Sequence, residues 1–194
     1  MNNLEILFNI IVHPLYALRR EDRTLSLAVM VMIAALWAFI AGNYLIIENS
    51  VNAVFFLSNI IFSVVMMFFF IIVQVSLWHF ISEAFQGKGK ASELFLCVCL
   101  SFLPFIFLAP MALIFKSLDL TFLWPIFQFS VIIWIIVLQI NSIRTVYGLN
   151  GSQAVLTYFI PFAVLFFILV LVLIIASVFI AITASGMFLP LMEI

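Results

Sequence analysis

The feature that most confines this chain is where its charges are absent. Between Arg23 and Glu48 lie 24 uncharged residues, between Glu48 and Glu83 there are 34, between Glu93 and Lys116 there are 22, and between Asp119 and Arg144 there are 24. No charge then appears until Glu193. A membrane-spanning helix needs about 20 apolar residues, so each of the first four gaps holds one span. The last gap is longer, but from Gln153 to Ser185 it has no turn cluster. Pro161 alone kinks rather than ends a helix in lipid. The spacing therefore predicts an all-α polytopic membrane protein with five transmembrane helices, at about 25–47, 53–84, 92–115, 121–146 and 152–185. Residues 1–24 precede them as a short interfacial segment, and 186–194 follow as an external tail.

Composition agrees. Hydrophobic residues make up 68% of the chain and charged residues 8%, far from the near-half and one-quarter of soluble domains, so a water-soluble globule is excluded. The formal net charge of −1 leaves no cationic excess for nucleic acid, whose phosphates demand clustered cations. Cys97 and Cys99 stand two apart in an apolar run, which on a helix turns them about 200° away from each other. They read as small hydrophobes. No disulfide framework is implied, and no cofactor is expected.

Orientation follows from the basic residues. Arg19, Arg20 and Arg23 precede the first span, Lys88 and Lys90 lie between the second and third, and Arg144 closes the fourth. With five spans all six share one side of the membrane, and only Lys116 falls on the other. The amino terminus is thus expected in the cytoplasm and the carboxyl terminus outside. In residues 1–24, Leu4, Leu7, Phe8, Ile11, Leu15 and Leu18 form an apolar stripe opposite Asn2, Glu5, Asn9 and His13, the pattern of an amphipathic helix lying in the interface. Pro14 interrupts it. Apolar residues first and arginines after is the reverse of a secretory signal.

Local signals mark the loops. Gly87-Lys88-Gly89-Lys90 is a basic turn between the second and third spans, and Gly148-Leu149-Asn150-Gly151 stops the fourth. Asn150 with Gln153 reads as a capping pair for the fifth. Both loops are short, which predicts that spans two and three, and four and five, pack as antiparallel neighbours.

These residues also carry a resemblance. His13-Pro14 before the first span, Gly87-Lys88-Gly89 after the second, Ser101 and Pro104 in the third, Trp134, Arg144 and Tyr147-Gly148 in the fourth, and Ala154 and Pro161 in the fifth resemble the Yip family, named for its Ypt/Rab-interacting members. The resemblance implies five membrane helices and a cytoplasmic amino terminus. Family members in eukaryotes carry a long cytoplasmic amino-terminal region and are associated with Rab GTPases and vesicle traffic. Here about 24 residues precede the first span, so a Rab-type GTPase is not an expected partner. The compact form resembles bacterial members of the inner membrane. The family supplies no catalytic residues to carry over.

Polar side chains in hydrocarbon are costly and so mark candidate sites. Asn59, Ser63 and Gln74 fall within about 60° on one face of the second span, and Gln128 and Gln139 lie nearly in line on the fourth. These amides suit either interhelical hydrogen bonding or a hydrated path. His79 and Glu83 are one turn apart and face the same way, as an interfacial ion pair, a proton relay or two weak candidate metal ligands. Arg144, with Arg19, Arg20, Arg23, Glu83, Lys88 and Lys90, outlines a cytoplasmic rim for anionic lipids or partner proteins. Arg144 could alternatively pair with Glu83 or Glu93.

An enzyme is not expected. The sequence lacks a Gly-rich phosphate loop, a Gly-x-Ser-x-Gly elbow and a His-Glu-x-x-His motif. Its two aspartates, Asp22 and Asp119, lie outside the spans. Two readings follow. The first is a non-enzymatic membrane organiser or adaptor, with the bilayer, anionic lipids, other membrane proteins or a second copy as partners. The second is a small oligomeric channel or transporter built on Asn59, Gln74, Gln128 and Gln139.

Overall fold

The computed structural model describes residues 25–47 and 53–188. The interfacial segment with Arg19, Arg20 and Arg23 therefore lies outside the described residues, as do 189–194. The elements are α1 (Leu25–Ile47), α2 (Ala53–Ala84), α3 (Ala91–Ser101), a 3-10 turn (Leu103–Phe107), α4 (Leu108–Ser117), a second 3-10 turn (Thr121–Leu123), α5 (Trp124–Tyr147) and α6 (Gly151–Phe188). Among the described residues five stretches are long and apolar enough to cross a membrane: Leu25–Ile46, Ile60–Ala84, Ala91–Ser117, Thr121–Tyr147 and Gly151–Ile180. The all-α, five-span expectation is borne out.

The third span is not one straight helix. Pro104 has no N–H to give to the carbonyl four residues back, and the chain tightens there. Phe102 donates to the Cys99 carbonyl at 3.4 Å and Phe105 to that of Phe102 at 3.0 Å. Ser101 closes its own hydroxyl onto the Val98 carbonyl at 2.6 Å, the usual way a hydroxyl is satisfied where water is absent.

The chain divides after Thr157 into two compact units. In the first, the third span is the centre: α1 packs along α3, the 3-10 turn and α4, while α3 also packs on α2 and α5. The buried face of α1 carries Ala28, Ala35, Ala38 and Gly42, and that of the third span Cys97, Cys99, Ser101 and Ala112. Small residues let backbones approach, and contact of this kind holds helices together where lipid is as apolar as the partner. A methyl group on Gly42 would stand 3.0 Å from the Trp124 ring and 3.2 Å from the Leu108 carbonyl oxygen. Around this point Leu108, Ala112, Trp124, Val131 and Ile135 form a core, flanked by Phe39, Phe105 and Phe127. Trp124 Nε1–H donates to Asn43 Oδ1 at 3.4 Å, and Asn43 donates to the Phe39 carbonyl at 2.8 Å. Lys116, the basic residue apart from the rim, donates to the Leu45 carbonyl at 3.1 Å in the last turn of α1. A cation suits that negative helix end.

Helix ends follow residue type. Gly148 ends α5 in the left-handed conformation with φ 66°, as a glycine cap should. Gln86 and Asp119 take the same conformation after α2 and α4, closed by Gly87 N–H to the Ser82 carbonyl at 2.9 Å and Leu120 N–H to that of Phe115 at 2.8 Å. Asn150 N–H donates to Gln153 Oε1 at 3.1 Å, the capping contact expected from the pair. Spans two and three pack together through α2 and α3. The matching expectation for spans four and five concerns Tyr158–Ile194, which form their own unit.

In that second unit α6 contains Pro161 and exposes the residues of 162–180 with the exception of Val170. Its hydroxyls turn back on the helix: Ser177 donates to the Ile174 carbonyl at 2.7 Å and Thr183 to that of Phe179 at 2.8 Å.

Candidate functional site

Where α2 ends and α3 begins, four residues run without helical structure from Gly87 to Lys90. They lie across the last turn of α5. A Cβ on Gly87 would stand 2.8 Å from Tyr147 Cβ, and one on Gly89 would stand 2.5 Å from the Val146 carbonyl oxygen and 2.8 Å from Tyr147 Cδ1. Both positions are glycine because the backbone rests directly on Tyr147 and Val146. Lys88 N–H reaches the Tyr147 carbonyl at 3.4 Å. Lys90 is extended, with φ −104° and ψ 140°. Exposure alternates along the loop: Gly87 and Gly89, turned to α5, are half-buried, while Lys88 and Lys90 are exposed.

Tyr147 is itself held. Its Oη lies 2.7 Å from His79 Nδ1, and His79 Nε2 lies 3.5 Å from Glu83 Oε1. One ring nitrogen thus faces the tyrosine hydroxyl and the other the carboxylate. Tyr147 is buried and Glu83 exposed, with His79 between them. The three side chains form a polar file from the loop end of the bundle inward.

The expected pair His79 and Glu83 is thus brought together, with Tyr147 as a third member. The sequence reading named Tyr147 only as part of a resemblance. The alternation Gly87-x-Gly89 was the available signal that something bulky lies beneath this loop. Arg144 is exposed one turn before Tyr147, and Glu83 lies against His79. Among the described residues no group of three or more His, Cys, Asp or Glu could hold a metal ion.

The amides are placed unevenly. Gln74 and Gln139 are buried, Gln128 is half-buried, and the Asn59 side chain lies outside the described residues. Gln74 Oε1 is buried with no hydrogen-bond partner, as are Ser82 Oγ and Thr157 Oγ1. Gln74 and Ser82 share the face of α2 that also buries Ile71 and Trp78.

No curated protein and no solved structure matches the chain. A family model does: the Yip1 domain matches residues 8–174. The loop glycines, Arg144, Tyr147-Gly148 and Pro161 all fall inside that match, and the chain belongs to the Yip family.

Proposed function

We propose that this protein is a non-enzymatic membrane organiser that holds anionic lipids or partner proteins at a cytoplasmic basic rim. The observation that carries the reading is the Gly87–Lys90 loop seated on Tyr147, with Lys88 and Lys90 exposed. A fixed cationic element at the end of three spans is a docking device, not a catalytic one. His79, Tyr147 and Glu83 serve to hold it, since each ring nitrogen of His79 already faces a partner. Arg144, and Arg19, Arg20 and Arg23 ahead of α1, extend the same rim. The amino terminus is cytoplasmic in this reading, the carboxyl terminus lies outside, and the membrane is a bacterial inner membrane. A Rab-type GTPase is not among the partners proposed.

The test is Arg144→Ala. Retention of anionic lipid or of a co-purifying partner falls severalfold, while the number of spans, read by cysteine accessibility, stays unchanged. Normal retention of both would remove the rim's claim.

One observation favours a second reading, a small channel or transporter. Gln74 Oε1 is buried without a partner, and unpaired polar atoms in hydrocarbon are costly. If Gln74 and Gln139 line a hydrated path, leucine at both positions abolishes flux in reconstituted vesicles. If they only bridge helices, no flux exists to lose.

A further inference from the structure

The rim reading leaves lipid and protein partners open; resting on it, we infer that Lys88 and Lys90 recognise the phosphate of an anionic lipid headgroup. The argument begins with spacing. The two lysines alternate with glycines that face α5, and two residues apart in extended backbone would put their Cβ atoms about 7 Å from each other on one side. Two flexible ammonium groups at that separation close readily on one phosphate, each as a compact point charge.

The loop is ordered before any ligand arrives. Gly87 N–H is bonded to Ser82 and Lys88 N–H to Tyr147, and neither glycine has room for a side chain against α5. Ordering of this kind reduces the entropy lost on binding. The nearby acids have other neighbours. Glu83 is engaged by His79, and Glu93 sits in the first turn of α3, where the helix dipole favours a negative charge.

Depth selects lipid over protein. The second span ends at Ala84, so Lys88 and Lys90 stand a few residues beyond the hydrocarbon, at headgroup level. On the last turns of α2, toward the membrane from the loop, Phe80 and Leu77 are exposed and apolar. A ligand with a phosphate above and acyl chains below matches both surfaces.

The experiment uses the full chain in nanodiscs of phosphatidylcholine with a minor fraction of phosphatidylglycerol. The ratio of the two lipids retained after transfer to detergent is read by native mass spectrometry. Lys88→Gln with Lys90→Gln lowers the phosphatidylglycerol ratio by more than tenfold, at about fivefold for each lysine. Gln86→Lys with Lys88→Gln keeps the loop's charge but takes one ammonium out of the alternating pair, and the ratio still falls severalfold because two point charges no longer close on one phosphate. Excess inorganic phosphate leaves the wild-type ratio unchanged.

A wild-type ratio in the charge-preserving variant would overturn the inference in favour of diffuse charge. Displacement by inorganic phosphate would reassign the loop to a soluble anion. No difference between wild type and the double glutamine variant would remove lipid recognition from this loop. If a partner lost on Arg144→Ala were still retained by that double variant, the broader rim reading would survive alone.

Discussion

The third and fifth spans are both apolar enough to cross a membrane, yet the most apolar stretch of the third is half buried, while residues 162–180 of the fifth, taken within their own unit, are exposed apart from Val170. Their sequences explain why. The third offers Cys97, Cys99, Ser101 and Ala112 toward its neighbours, and Pro104 breaks it into two halves, α3 and α4, that both pack on α1 while α3 also packs on α2. The fifth, from Phe162 to Ile175, is a run of large aliphatic and aromatic residues interrupted by Ala163. Hydropathy decides that both enter lipid; small side chains and a broken backbone let the third pack closely within its own unit. The contrast also locates the polar chemistry, since α3 begins at the loop that carries Lys88 and Lys90.

The largest test of that contrast is Leu100→Ala. Leu100 is 1% exposed, and the cavity costs about 2–5 kcal/mol in reversible unfolding by steric trapping in bicelles. Next comes Gly89→Ala, which forces a methyl group against the Val146 carbonyl; about 1–3 kcal/mol is lost, and the loop becomes sensitive to limited proteolysis. Gln74→Leu is expected to be neutral or to stabilise by up to about 1 kcal/mol, because it removes a buried oxygen without a partner. A clear destabilisation there would mean that Gln74 is bonded to something bound in the membrane. Smallest is Leu169→Ala in the fifth span, at a residue 57% exposed, which stays within about 0.5 kcal/mol. A loss at Leu169 as large as that at Leu100 would erase the distinction between the spans.

Much of the fold was legible from charge spacing, because a span is set by length and apolarity alone. The cap at Gly148 and the Asn150–Gln153 contact were legible too, since each depends on residues close in sequence. The break at Pro104 was less so: proline is tolerated within membrane helices, and only packing shows whether it bends or divides one. The pair His79 and Glu83 followed from helical spacing. Tyr147 did not, because it stands 68 residues from His79 and nothing local announces the contact. Lys116 shows the limit of counting charges. Its amine is turned to the end of α1, so it acts as a helix cap whatever the side on which it lies.

The central claim is that this Yip-family chain works by holding companions at its basic end. The most direct measurement is native mass spectrometry of the protein extracted at its endogenous level into lipid nanodiscs. The account predicts selectively retained anionic lipids or reproducible foreign subunits. A discrete homo-oligomer carrying neither, and conducting an ion or solute when reconstituted, would contradict it.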